Sequence, residues 1–215
     1  KFKSNIKYKN YFIKNNLKIE GSEPGAKKFI RITDKLIKEV DCIINLCGIL
    51  YENKSGDFDK IHSDLPASLG ELCSKNNIRH LIHVSALGVS ENSESKYSRS
   101  KASGDRRLLE KFPLAKIIRP SILYGRGDNF FGQFSQIASV SPILPLISKN
   151  TKFQPIFVND VVFAIIKLIT HKDIKGNFFD LGGKFTYTFE KLLKILLDIK
   201  GIKRILIPLN PNLMK

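Results

Sequence analysis

Apolar residues along this chain gather into short continuous runs, separated by stretches in which they recur every three or four positions. Three runs stand out. Cys42 to Leu46 is closed by Cys47-Gly48; Leu81, Ile82 and Val84 end at Ser85; and AKIIRPSIL, from Ala115 to Leu123, leaves through Tyr124-Gly125. Continuous apolar runs of this length read as strands buried on both faces, the pattern of a parallel sheet. Between the first two, Phe58 to Lys75 places Ile61, Leu65, Leu69 and Leu72 at helical spacing, and Asn76-Asn77 ends that segment. A second helix carries Tyr97 and continues to about Lys111, stopping ahead of Pro113. Strand, helix, strand in this order is a βαβ unit. Upstream, Lys27 to Glu39 approaches helical periodicity through Phe29, Ile32, Leu36 and Ile37, after a turn cluster from Gly21 to Gly25. Residues 1–20 alternate lysine and asparagine with isolated apolar residues and predict no regular element.

A chain of 215 residues suits one α/β domain, or a domain and a small lobe. Its 42% hydrophobic and 26% charged content is ordinary for a globular protein. No apolar run reaches the roughly 18 residues of a spanning helix and no signal-peptide pattern opens the sequence, so a soluble protein is expected. The net charge of +16 raises the question of nucleic acid. The lysines, however, are dispersed, and no helix-turn-helix, zinc or RNP pattern accompanies them. The expectation is a solvated basic surface, favourable toward anionic lipid or an acidic partner, and no nucleic-acid partner. Cys42, Cys47 and Cys73 have no disulfide or metal spacing; Cys42 and Cys47 read as small buried hydrophobes. His62, His80, His83 and His171 lack carboxylate or cysteine partners at ligand spacing and read as structural histidines; no metal is expected.

The candidate chemistry lies in HLIHVSALGVSENSESKYSRSK, His80 to Lys101. Ser85 closes a strand, and open α/β sheets collect ligands at the carboxyl ends of their strands. Tyr97 and Lys101, four apart, share one helical face. A tyrosine hydroxyl titrates near about 10, and a neighbouring ammonium would favour its phenolate. The three groups suit proton transfer to or from a hydroxyl or carbonyl during hydride transfer. A surface face with an interfacial tyrosine uses the same two helical residues.

NLCGILYE, HLIHVSALGVS, YSRSKASGD, FPLAKIIRPSILYGRGDNFF, KFQPIFVNDVVFAI and GNFFDLGG followed by YTFEKLLKIL stand in the order and spacing of the extended short-chain dehydrogenase/reductases. The chain resembles the atypical branch that includes the NAD(P)H-binding accessory subunits of respiratory complex I and their bacterial relatives, the NAD-dependent epimerase/dehydratase proteins. The resemblance covers about residues 41–201. It implies an α/β fold, a doubly wound parallel sheet of the NAD(P)-binding Rossmann type, with a small substrate lobe. The expected division is 1–171 for the nucleotide-binding domain and 172–215 for part of the lobe. The cofactor implied is NAD or NADP. Leu46, Cys47 and Gly48 would line the cofactor groove, although Gly48 also serves as a simple tight turn. Ser85, Tyr97 and Lys101 would be the catalytic or nicotinamide-ribose set. Pro120, Ser121 and Ile122 match the segment whose backbone meets the nicotinamide, and read equally as a rigid strand exit. Asp160 reads as a helix N-cap. Phe130, Phe131, Gln133 and Phe134 would border the lobe, or form core.

Two departures qualify these expectations. The Gly-x-x-Gly-x-x-Gly turn that opens the family fold has no counterpart among Gly21, Gly25 and their neighbours, so the first strand–helix unit is expected to be missing and cofactor binding by these 215 residues alone to be weak. Ala86 stands where many extended members carry a hydroxyl. The Ala86 gap fits what the resemblance to the complex I subunits implies, a protein that holds its nucleotide structurally and supports a respiratory complex, cytoplasmic and peripheral to the inner membrane. An active oxidoreductase or epimerase using Tyr97 and Lys101, and a basic module for nucleic acid or membrane surfaces, are the alternatives.

Overall fold

The computed structural model describes residues 40–209, apart from 148 and 172. The expected helix at Lys27–Glu39, the Gly21–Gly25 turn and residues 1–20 lie outside the described residues. Strand β1 (Cys42–Asn45) is one residue shorter than its apolar run, because the Asn45 side chain turns the chain out of the sheet. A π-helical turn (Asp59–Asp64) runs into α1 (Leu65–Lys75). Then follow β2 (His80–Val84), α2 (Lys96–Lys111) and β3 (Lys116–Pro120). The Ser95 hydroxyl caps α2 by accepting from the Ser98 N–H.

With β8 (Phe178–Leu181), these strands make a four-stranded parallel sheet in the order β1-β2-β3-β8. Alternation along each strand divides the core between its two faces. Leu81 and Ile117 pack with Cys73, Ile78, Leu108 and Phe112 beneath α1 and α2. Ile82 and Ile118 face the other way, onto Val161, Ile165 and Leu168 of α4 (Val158–Thr170). Helices on both faces make the sheet doubly wound, as expected. Among the described residues β1 stands at its edge, with Ile44 exposed. None of the described helices is long and apolar enough to cross a membrane.

The face of residues 59–75 that is buried deepest differs from the expected stripe. Ile61, Leu65, Leu69 and Leu72 are half-buried, whereas His62, Ser63, Pro66, Ala67, Gly70 and Cys73 are buried. Small residues win this face because α2 approaches it closely. A Cβ at Gly104 would overlap the His62 carbonyl oxygen, and one at Gly70 would lie 3.0 Å from Leu108.

The strand expected from Ala115 to Leu123 stops at Pro120. Beyond it, Ser121 N–H bonds to the Leu181 carbonyl and the Ile122 carbonyl accepts from Ile156 N–H. The chain so peels away into β4 (Leu123–Tyr124), which pairs with β7 (Ile156–Phe157). Asp160 is not the N-cap of α4; the helix begins after Phe157 without a side-chain cap, and Asp160 lies in its first turn, where it complements the helix dipole.

A smaller lobe combines α3 (Phe130–Val140), β5 (Ile143–Ile147), β6 (Lys152–Phe153), β9 (Tyr187–Thr188), α5 (Phe189–Lys200) and β10 (Ile205–Leu209). Phe130 and Phe134 meet Phe189 at ring-centroid distances of 6.0 and 5.3 Å over Leu146 and Leu193, so they are core residues of the lobe. Phe131 lies edge-on to Phe130, and Gln133 is exposed. Sheet membership does not follow the expected boundary at 171. Strand β8 returns to the main sheet after it, while α3 and β5 precede it and pack with α5 and β10.

Gly104→Ala forces the π-helical turn and α2 apart. Thermal or denaturant unfolding of this variant should show a loss of about 3 kcal/mol, whereas Gly132→Ala, which meets nothing within 4 Å, should cost little.

Candidate functional site

Tyr97 and Lys101 project from successive turns of α2 at the carboxyl ends of β1 and β2. Lys101 is 4% exposed, and its ammonium donates to the Val84 carbonyl at 3.3 Å. Gly48 closes over it, since a Cβ at that position would stand 3.3 Å from Lys101 Nζ and 3.9 Å from His62 Nε2. Burial lowers the pKa of Lys101, while Asp105 and Cys47 raise it.

His62, on the π-helical turn, was expected only to be structural, yet it forms the floor of this corner. Its Nε2 accepts from Ile49 N–H at 3.0 Å, which leaves the ring proton on Nδ1 for the Ser100 hydroxyl at 3.0 Å. Ser100 in turn donates to the Tyr97 carbonyl. Tyr97 lies edge-on to His62 with centroids 5.2 Å apart, and Phe58 stacks on the same imidazole at 5.2 Å. Burial first, and Lys101 second, push the His62 pKa down to about 4, so the ring is neutral.

The expected Lys101 effect on Tyr97 is absent. The phenol is half-buried and desolvation raises its pKa, opposite to the lowering anticipated from the four-residue spacing. The ammonium is instead drawn inward to the Val84 carbonyl.

Ser85 is buried and its hydroxyl donates to Asp105 Oδ2 at 3.0 Å. Asp105, 1% exposed, also accepts from Arg119 Nε at 3.0 Å and Nη2 at 2.8 Å on the same oxygen. Burial raises its pKa against the opposing pull of Arg119, Ser85 and Lys101. Its other oxygen faces His83 Nε2 at 3.6 Å, and neither of these two atoms has a hydrogen-bond partner. The far side of the His83 ring takes the Asn45 side-chain amide at 3.0 Å, and Asn45 Oδ1 accepts Cys47 N–H at 3.1 Å. Burial pushes His83 down to about 3. His83 thus has a carboxylate neighbour that its sequence surroundings did not disclose.

The turn Leu46-Cys47-Gly48 leads away from β1 with Leu46 68% exposed. Cys47 is exposed, contrary to its expected burial, because the Asn45 turn carries it out of the sheet; Cys42 is half-buried and Cys73 buried. Pro120, Ser121 and Ile122 lie one strand over, beyond β2. The Pro120 carbonyl accepts Leu87 N–H, and Ser121 Oγ accepts Gln154 N–H at 3.2 Å. These bonds make the segment a rigid strand exit. Among the described residues no group of three or more His, Cys, Asp or Glu side chains is disposed to hold a metal.

The chain is 28% identical over 183 residues to NADH dehydrogenase [ubiquinone] 1 alpha subcomplex subunit 9, mitochondrial, of Dictyostelium discoideum, a match covering 85% of this chain and 51% of that protein. The Mus musculus protein of the same name is 32% identical over 164 residues, covering 75% and 43%. A ceramide reductase of Caulobacter vibrioides is 29% identical over 136 residues, covering 63% and 43%. Among solved structures, UDP-glucuronic acid 4-epimerase from Bacillus cereus in complex with NAD superposes with a TM-score of 0.67 at 22% identity, covering 82% and 65%. The chain is thus similar in sequence to complex I subunits and to a reductase, and shares its fold with an NAD-bound epimerase. It is a homologue of the complex I subunits, and spans about half the length of the curated relatives it matches. No family model matches it.

Within this fold, Asn45, Asp105 and Arg119 are polar residues that no sequence pattern marked, and His62 was expected only to be structural. Asp105 follows Lys101 at the same four-residue interval that drew attention to Tyr97, and Asn45 and His83 interrupt otherwise apolar strands. Since unfolded His62 titrates near 6.5 and the folded ring near 4, the unfolded chain binds the extra proton between those values. Stability present above about 6.5 is therefore lost as pH falls toward about 4, by up to roughly 1.4 kcal/mol per pH unit from this residue. Buried His83, pushed down to about 3, adds an equal slope over the same window, so chemical denaturation across pH 4–7 should show the two together and His62→Gln should remove about half.

Proposed function

We propose that this chain forms the nicotinamide-ribose half of an NAD(P)-binding protein that serves a respiratory complex structurally. The observation that carries this reading is the meeting of Gly48 and Lys101. Backbone without a Cβ lies against a buried ammonium that has three donors and spends one on Val84. Two donors remain for hydroxyl oxygens at the open strand ends, the chemistry a nucleotide ribose offers. The residues present thus fit this part of a dinucleotide, with Leu46, Cys47 and Gly48 along the groove and Pro120, Ser121 and Ile122 at its far wall. The dinucleotide would supply hydride transfer; the chain's own groups hold and orient it.

The proton-handling side is less complete. The Ser85 hydroxyl is committed to Asp105, Ala86 has none to offer, and the Tyr97 phenol is held in its protonated form by burial. A site that retains the ribose contact and lacks a ready proton relay suits retention of the nucleotide more than turnover. Homology to the complex I subunits supports the partner, a respiratory complex, and peripheral attachment to its membrane. A reductase acting on a carbonyl through Tyr97 is the second reading, favoured by the ceramide reductase relative.

In the full-length protein, NADH and NADPH fluorescence titrations should show Lys101→Met weakening binding at least about tenfold, the worth of one hydrogen bond to a charged group. Tyr97→Phe should bind within about threefold of wild type, with no carbonyl reduction by either protein. Turnover that Tyr97→Phe abolishes would replace the structural reading with the enzymatic one.

A further inference from the structure

A ring of polar groups, hydrogen-bonded except between His83 and Asp105, surrounds the Lys101 ammonium. Lys101 donates to the Val84 carbonyl, and the next residue, Ser85, donates to Asp105. Asp105 faces His83, His83 meets Asn45, Asn45 holds Cys47 N–H, and the turn ends at Gly48 against Lys101 Nζ. Two strand ends, one turn and one helix are so locked together, and the lock passes through a single carboxylate. We infer that Asp105 is the positioning residue of the Tyr97–Lys101 site, holding the ammonium charged and fixed at the end of β2. The inference deepens the proposed nucleotide site and rests on that reading for its functional meaning.

Among the groups around Lys101, Asp105 is the stronger of the two that favour its charge. The other is the Cys47 thiol on the turn after β1, exposed at its surface but partly desolvated, which raises its pKa against the pull of Lys101. The π-helical turn contributes His62 and β2 contributes His83, both neutral and both pushed down in part by Lys101 itself. On α2, Tyr97 is a protonated phenol one turn back. From β3, Arg119 is a second cation, stacked 4.0 Å over the Phe178 ring. Two cations and two neutral imidazoles thus surround one carboxylate, which lies one helical turn beyond Lys101 on the same buried face. An ammonium at 4% exposure without that carboxylate would shed its proton more readily, and with it the charge and one of the two donors left for a ribose. Asp105 touches none of the open groove; its action is through Ser85 and through its field.

The test is direct titration by NMR of protein labelled with 13C-lysine and 13C-aspartate, the signals assigned with Lys101→Met and Asp105→Asn. In Asp105→Asn, whose side-chain oxygen still accepts from Ser85, the Lys101 midpoint should fall by about one pH unit. Asp105→Glu, which keeps the charge, should leave it within a few tenths. Coupling between two sites is reciprocal, so Lys101→Met should raise the Asp105 midpoint by a similar amount; this arm decides the matter if Asp105→Asn does not fold. Protection of the buried Cys73 thiol from alkylation reports folding of each variant. Midpoints unmoved in folded Asp105→Asn or Lys101→Met overturn the inference. The readout requires no nucleotide, so absent cofactor binding with the shifts intact would sink the proposed function alone, and nucleotide binding without the shifts would sink only the role of Asp105.

Discussion

The burial of one ammonium organises the functional end of this sheet. A lysine taken out of water must find acceptors and a countercharge, or lose its proton. Lys101 finds one acceptor in the Val84 carbonyl and has its countercharge one turn along α2 in Asp105. Asp105 in turn is buried and needs its own donors, which Ser85 and Arg119 provide from the ends of β2 and β3. Each compensation recruits another strand, until polar groups line the space between sheet and helix from Asn45 to Arg119, bonded throughout except for the 3.6 Å step from His83 to Asp105.

That layer exists only because α2 can sit so close. Gly104 against the His62 carbonyl and Gly70 against Leu108 remove the side chains that would hold the helices apart. The same proximity places His62 under Tyr97 and within reach of Gly48. Backbone approach, an apparently modest packing matter, therefore sets the distance between the phenol, the ammonium and the turn that would line a nucleotide. The small lobe is built differently, on a cluster of phenylalanine rings with no buried charge among the described residues.

Two features of this corner stand apart from one another. The buried ammonium and the close glycine turn are in place, while the Ser85 hydroxyl is bonded to Asp105 and Ala86 has none to offer. A homologue of complex I subunits with this distribution can retain the geometry of a cofactor pocket for its structural worth, since a bound nucleotide stabilises the folded state by mass action.

What the sequence determined by itself was the alternation of short apolar runs and helical stripes, hence a βαβ order of parallel strands, the doubly wound form being implied by the resemblance. It also determined the pairing of Tyr97 with Lys101, because a four-residue interval on a helix is a local property. Local periodicity could not show that the buried face of residues 59–75 would be the one bearing His62 and Gly70, that Asn45 would turn Cys47 into solvent, or that β3 would end at Pro120. Nor could it join Asp105 to Ser85, His83 and Arg119, or draw the ammonium away from the phenol. Those contacts span 14 to 22 residues within the chain and arise only when strands and helix close on one another. Burial then sets the charges, as desolvation depends on what stands around a group in space and not on its neighbours in sequence.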